Sequence, residues 1–166
     1  MIIDITDILG QDGASIALDL SETAEHLDAD TEGIVFEGPV KFSGRLENTA
    51  GVIELHGMLE MRYTIKCSRC LKDISNEEII SIREDFLSDG SGVEDETYTY
   101  TGKYVDISSA LKDNIILNLP ITQVCSEDCR GFCPKCGANL NESECDCGRD
   151  ETDFRLEILR KLLSDD

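Results

Sequence analysis

The chain has 166 residues, of which 40% are hydrophobic, and its 35 acidic residues against 15 basic ones give a formal net charge of −20. This length fits one domain, or one domain with a small lobe, and the hydrophobic fraction excludes wholesale disorder. The charge repels a phosphate backbone at long range, so any RNA contact must be local and a basic protein is easier to attract. Solubility alone also accounts for such acidity.

The start of the chain, Met1-Ile2-Ile3-Asp4, lacks the basic stretch and apolar run of a secretory signal. No stretch approaches the ~20 apolar residues of a membrane helix. We therefore expect a cytoplasmic protein, away from membranes, whose thiols are kept reduced.

Near the N-terminus we predict short strands at residues 2–5 and 15–20 and a weak helix at residues 21–27. The middle of the chain then alternates between apolar and polar residues, as in strands buried on one face. Three runs, at residues 34–46, 53–65 and 74–87, predict an antiparallel β-meander, with a turn at residues 48–51 and Pro39 at an edge or bulge. The apolar positions are Ile34, Phe36, Val40, Phe42, Leu46, Ile53, Leu55, Leu59, Met61, Tyr63, Ile65, Ile80, Ile82 and Phe86.

The second half of the chain favours helices. Residues 88–96 read as a solvated loop, followed by a short strand at 98–104. Apolar residues at helical spacing then predict a helix from Asp106 to Leu119, ended by Pro120. Leu156, Leu159 and Leu163 indicate a terminal helix after Thr152. The expected fold class is α+β, with a β-rich domain at residues 1–120 and a cysteine-rich lobe with a terminal helix at 121–166.

Eight cysteines are placed in a pattern that core packing does not require. Cys-x2-Cys lets two thiolates of one tight turn reach a zinc ion, and four ligands complete a structural site. Gly137 can take the positive φ that turns the chain after the second ligand. We assign one zinc site to Cys133, Cys136, Cys145 and Cys147, and a second to Cys67, Cys70, Cys125 and Cys129. The alternatives are disulfides for all eight and, for the second group, unligated thiols, so one or two ions are expected.

Several segments resemble the YceD-like family of bacterial and plastid proteins. They are the Cys67-Ser68-Arg69-Cys70 pair, residues 115–120 (IILNLP) and residues 125–141, above all 129–141 (CRGFCPKCGANLN). The resemblance implies a non-enzymatic role in large-subunit ribosomal RNA accumulation and ribosome assembly. Many relatives have Asp-Pro-Arg where this chain has Asp153-Phe154-Arg155. Some relatives lack most of the cysteines near the C-terminus, which implies that the cysteine-rich lobe stabilises the protein and is not its functional surface.

Four cations lie between residues 62 and 72 with no acid among them: Arg62, Lys66, Arg69 and Lys72. We take them as a candidate RNA contact at the tip of a hairpin; the alternative is an ordinary solvated strand face. A second hypothesis is an acidic binding module or chaperone for a basic ribosomal protein.

An enzyme is the least favoured class. Cys67 and Cys70 follow a strand rather than starting a helix, which argues against thioredoxin-like chemistry. His26 and His56 have no ligand spacing and are expected at the surface. No phosphate-binding glycine loop or nucleophile-His-acid arrangement is visible, so no small-molecule substrate is expected.

Overall fold

The computed structural model describes residues 1–27, 29, 33–89 and 98–147. In chain order the elements are β1 (Ile2–Asp4), α1 (Thr6–Leu9), β2 (Ser15–Glu22), β3 (Ile34–Phe36), β4 (Val40–Thr49), β5 (Val52–Lys66), β6 (Asp73–Ser88), β7 (Tyr98–Tyr100), β8 (Tyr104–Asp106) and α2 (Ser108–Asn118). The described part is therefore mostly sheet with two helices, compatible with α+β. None of the described helices is long and apolar enough to cross a membrane.

The predicted meander is confirmed. Strands β4, β5 and β6 pair antiparallel in chain order, β2 pairs antiparallel with β4, and β7 joins β6 in parallel. All six apolar residues predicted on one parity of β5 are buried, whereas Glu60, Arg62 and Lys66 of the other parity are exposed. This alternation arises because the inner face of the sheet packs on the core and its outer face meets solvent.

The first predicted strand is interrupted. β3 and β4 both pair with β5, but four residues separate Phe36 from Lys41 while two separate their partners Tyr63 and Glu60. The two extra residues form a bulge-like break that contains Pro39, which has no N–H to donate to the ladder. The predicted turn is a two-residue hairpin loop in which Ala50 (φ 53°) and Gly51 (φ 92°) both have positive φ.

The predicted helix at residues 21–27 is wrong. Ser21 and Glu22 extend β2, because they continue its pairing with Lys41 and Val40 of β4. Among the described residues 23–27, one i→i+4 backbone bond follows, from Leu27 N to Thr23 O. Strand pairing therefore outweighs the helix preference of this segment.

Helix α2 agrees with the helix predicted from periodicity. Its Ala110, Leu111 and Ile115 are buried in the core, and the side chain of Asn114 donates to Glu84 of β6 at 2.7 Å. Beyond α2, residues 121–147 contain no helix or strand, only an isolated bridge between Phe132 and Asn139. The predicted terminal helix and most of the predicted loop at 88–96 lie outside the described residues, and the division at residue 120 stays a prediction.

Candidate metal centres

The loop between β5 and β6 is a compact turn built around Cys67 and Cys70. The pairing of Lys66 with Asp73 closes the strands below it. Cys67 N donates to Lys72 O at 2.8 Å, and Leu71 N donates to Cys67 O at 2.9 Å. Leu71 has a φ of 57°, in the left-handed region. This turn brings the two thiols to one side, as a Cys-x2-Cys metal turn requires.

The turn at Cys133 and Cys136 repeats the same backbone pattern. Cys133 N donates to Ala138 O at 2.8 Å, and Gly137 N donates to Cys133 O at 2.9 Å. Gly137, with a φ of 73°, occupies the position of Leu71, and the positive φ expected there is confirmed. The two turns are thus structural equivalents in segments that share little sequence beyond the cysteines.

Cys67, Cys70, Cys125 and Cys129 form the first group of thiols, here named the tip site. Their sulfur atoms all lie within 4.8 Å of one another. The sulfurs of Cys67 and Cys129 are 3.8 Å apart, and those of Cys70 and Cys125 are 3.6 Å apart. A tetrahedron with Zn–S bonds of 2.3 Å has edges of about 3.8 Å, whereas a disulfide needs about 2.05 Å. The separations therefore fit four ligands of one ion.

Two polar contacts bring Cys125 to the hairpin. Ser68 donates to Gln123 O through both its N–H and its hydroxyl, each at 2.8 Å. The side-chain amides of Gln123 and Asn76 donate to each other at 2.8 and 3.0 Å. These contacts were missed in the sequence, where Gln123 and Asn76 carry no motif, and they place the segment before Cys125 beside β6.

The tip site is largely buried, and the pKa values of its thiols are shifted in opposite directions. Cys67 has no exposed surface. Burial disfavours its thiolate, but the N–H groups of Cys70, Arg69 and Cys125 outweigh this and lower the pKa of Cys67 to about 6. At Cys70 the Lys72 N–H favours the thiolate, yet burial and the neighbouring thiols raise the pKa to about 12. Four thiolates cannot share this space without a cation, which a divalent ion supplies.

Cys133, Cys136, Cys145 and Cys147 form the second group, here named the lobe site. Their sulfurs also lie within 4.8 Å of one another, but only Cys133 is buried. The N–H groups of Cys136 and Lys135 lower the pKa of Cys133 to about 6. The Cys136 thiol, together with burial, raises the pKa of Cys147 to about 12. The donor set again suits a soft divalent cation such as Zn²⁺.

Both groups coincide with the sets assigned from spacing, and all eight thiols are free. Neither histidine belongs to a group: His26 and His56 lie 2.7 and 2.8 Å from Glu22 and Glu54. Because both groups consist of cysteine thiols alone, they have the composition of closed structural sites.

The four candidate RNA-binding cations have different surroundings. Arg62 pairs with Glu77 at 2.8 Å and Lys66 with Asp73 at 3.0 Å, both on the exposed face of the sheet. The Arg69 guanidinium donates to Glu127 O at 3.3 Å and to Cys129 O at 2.9 Å. Lys72 has no ion pair among the residues that the structure describes. Both ion pairs could have been predicted from the sequence by matching residues across the hairpin, starting from its tip. Glu77 and Asp73 then face Arg62 and Lys66 in register.

Comparison with known proteins yields relatives that match parts of the chain. The chloroplastic Large ribosomal RNA subunit accumulation protein YCED homolog 1 of Arabidopsis thaliana is 51% identical over 51 residues, 31% of this chain and 16% of that protein. An uncharacterized protein of Mycobacterium tuberculosis is 28% identical over 101 residues, 58% of this chain and 49% of the relative. One from Mycobacterium leprae is 23% identical over 146 residues, 84% and 67% of the two chains.

This chain spans half or less of the length of the plant and Mycobacterium tuberculosis relatives. No solved structure matches it. The family described as Large ribosomal RNA subunit accumulation protein YceD matches residues 55–163, a range that starts in β5 and includes all eight cysteines. The chain therefore belongs to the YceD family.

Proposed function

We propose that this chain is a non-enzymatic factor that supports large-subunit ribosomal RNA accumulation and ribosome assembly, and that it holds two structural zinc ions. The observation that carries the proposal is the gathering of eight thiols into two groups of four, each with its sulfurs within 4.8 Å of one another, in the segment that matches the YceD family. Closed all-thiolate sites shape loops and leave no open coordination position for substrate. Free thiols at this spacing fit a reducing compartment, and we place the protein in the cytoplasm.

The zinc would supply what residues 121–147 lack. These residues contain no helix or strand, and the buried part of the tip site forms a small cluster separate from the main core, consisting of Cys67, Cys70 and Cys129. Structural zinc contributes on the order of 10 kcal/mol of folding free energy in small domains. The tip-site ion would therefore hold the segment against the hairpin, and the lobe-site ion would close residues 133–147 on themselves, without a hydrophobic core.

Metal analysis by mass spectrometry on native protein, purified without chelator, tests the zinc proposal. We expect two equivalents of zinc, with eight thiols that react with a thiol reagent only after denaturation with chelator. Metal-free native protein with thiols joined as disulfides would refute the proposal. One equivalent would restrict it to a single site.

We propose that RNA is contacted at the hairpin tip by Arg62, Lys66 and Lys72. The ion pairs of Arg62 and Lys66 are more than half exposed, and such pairs contribute only ~0–1 kcal/mol. Phosphate groups can therefore replace the carboxylates at little cost. Arg69, the fourth cation, is the least suited, because its guanidinium donates to backbone carbonyls.

The triple variant R62A/K66A/K72A tests the contact by co-sedimentation with large-subunit precursors. A matched control, R45A/R83A/K103A, removes the same charge away from the hairpin tip, where Arg45 and Arg83 both lie opposite His56 of β5. We expect the first variant to lose association and the control to retain it, with zinc content unchanged in both. Equal association of the two variants would exclude the tip as the contact.

A second candidate function is an acidic chaperone for a basic ribosomal protein. It is favoured by the charge of −20 together with two aliphatic side chains at the end of α2, Leu117 and Ile121, which are 81% and 98% exposed. The net negative charge of the chain attracts a basic protein, and exposed apolar groups can then bind it. Salt-dependent affinity for purified basic ribosomal proteins, compared with that for purified ribosomal RNA fragments, separates the two functions.

A further inference from the structure

We propose that the two thiol sites are coupled, so that filling the tip site raises the metal affinity of the lobe site, and that Arg69 and Asn141 are the positioning residues that link them. This inference rests on the proposed function in one respect, namely that both sites bind metal.

The two sites share one short stretch of chain. Cys129 belongs to the tip site and Cys133 to the lobe site, with only Arg130, Gly131 and Phe132 between them. Any displacement of Cys129 therefore reaches Cys133 within three residues. Whatever holds this stretch in place acts on a ligand of each site.

The stretch lies directly against the hairpin turn. Gly131 has a φ of 67°, and a Cβ added to it would lie 2.9 Å from Arg69 O and 3.2 Å from Arg69 Cβ. Arg69 stands inside the turn between Cys67 and Cys70, and its guanidinium reaches across to Cys129 O at 2.9 Å. The conformation of the tip turn thus decides where the stretch can run.

Asn141 makes the connection from the lobe side. It lies in the loop between the lobe ligands Cys136 and Cys145, yet its Nδ2 donates to the sulfur of Cys129 at 3.5 Å. Its Oδ1 accepts from Arg130 N at 2.8 Å. The same loop is joined to the stretch by Leu140 N, which donates to Gly131 O at 2.8 Å. One side chain of the lobe therefore touches a ligand sulfur of the other site.

These contacts predict an order of loading. Metal at the tip site would fix the position of Cys129, to which Asn141 and Arg69 both donate. The Asn141 bond then holds the loop that separates the two pairs of lobe ligands. The more buried tip site should fill first, and the lobe site should bind afterwards with an affinity raised on the order of tenfold.

Zinc titration of the reduced, metal-free chain against a chromophoric chelator tests the coupling. In N141A, which keeps all eight thiols, we expect the second binding step to weaken about tenfold and the first by less, because Asn141 makes one hydrogen bond to a tip-site sulfur. R69A should weaken both steps, because Arg69 also joins the tip turn to Cys129. N118A and K72A are the matched controls: the Asn118 side chain donates to Asn114 O within α2, and Lys72 contributes only its backbone, which the substitution keeps, to the tip turn described above.

Two further measurements separate coupling from general loosening. C67S, which removes a tip ligand, should weaken the lobe site by the same factor, and C67S/N141A should show no additional loss. In cadmium-loaded protein, the resonance of the tip ion should shift in N141A because the bond to the Cys129 sulfur is lost. Second-step affinities of N141A and R69A within twofold of the unaltered chain would overturn the coupling while leaving two-site binding intact. Absence of any zinc uptake would instead overturn the proposed metal sites, and the coupling with them.

Discussion

Gly44 and Gly57 lie directly opposite each other on β4 and β5, and the ring of Phe42 covers both. A Cβ at Gly57 would lie 2.5 Å from Phe42 Cζ and 2.6 Å from Ser43 O. Phe42 is buried and cannot swing outward. We therefore expect G57A to lower the free energy of unfolding by about 2 kcal/mol, measured by urea denaturation, because overpacking a filled core forces neighbouring groups to shift.

Gly10, at the C-terminal end of α1, provides the control. A Cβ at Gly10 would meet nothing within 4 Å, and its φ of −99° is open to any residue. G10A should leave the urea midpoint almost unchanged. If Phe42 is the obstacle, adding F42L to G57A should recover part of the loss; equal midpoints for G57A and G10A would contradict the explanation.

Leu71 and Gly137 occupy the same position after the second cysteine of their turns, with φ values of 57° and 73°. A side chain in this region is strained, whereas glycine is not. L71G should stabilise the zinc-loaded protein by about 0.5–1 kcal/mol, since Leu71 is 59% exposed and loses little packing. G137A should destabilise it by about 1 kcal/mol, because open space around Gly137 leaves backbone strain as the only effect.

Unfolding by guanidinium chloride at fixed free zinc measures both changes. L117G is the control for L71G: it removes another exposed leucine, but from helix α2, where glycine costs about 1 kcal/mol. Opposite signs for L71G and L117G are therefore expected. If L71G destabilises as much as L117G does, the left-handed backbone at Leu71 is not under strain.

The sheet was predictable because alternation reports directly on burial. Residues from Ile53 to Ile65 have one covered face and one wet face, and their parity in the sequence matches their burial in the structure. Helix α1 was missed because four residues are too few to display a helical period. Ser21 and Glu22, the last residues of β2, were misassigned because their conformation depends on pairing with β4, which local preference does not contain.

The two groups of thiols were predictable in part. Cys-x2-Cys spacing identifies each turn, and the closeness of Cys133 to Cys147 along the chain indicates the lobe set. The sequence does not show that Cys67 and Cys125 lie close together, because their proximity depends on the nonlocal contacts of Gln123 with Asn76 and Ser68. The same holds for Asn141, whose link to Cys129 exists only once both turns have formed.

Asn48 is the one buried polar side chain in the described core, at 3% exposure. Its Nδ2 donates to Ile8 O at 2.6 Å, and its Oδ1 accepts from Gly51 N at 2.9 Å in the hairpin loop. N48A removes the partner of Gly51 N and one of the bonds to Ile8 O, which still accepts from Gln11 N at 3.2 Å, so we expect a loss of about 1–2 kcal/mol in urea unfolding. N118A, which removes an exposed amide bonded to Asn114 O, should cost far less. Similar losses for the two variants would show that burial does not determine how much these hydrogen bonds contribute to stability.

Asp106 predicts how stability depends on pH. Burial alone would raise its pKa, but hydrogen bonds from Ser108 and the Met1 ammonium outweigh burial and lower the pKa to about 2. Since the unfolded value is about 3.9, the stabilisation is complete above that pH and disappears as the pH falls through about 2. D106N should therefore cost about 1 kcal/mol at pH 7, a value discounted because the side chain is 56% exposed, and progressively less as the pH falls toward and below about 2. D19N, which removes an exposed carboxylate, is the control. The free energies of unfolding of the two variants are compared at each pH, so that any release of metal affects both equally. A D106N loss that stays the same size in acid would assign the effect to the shape of the side chain rather than to its charge.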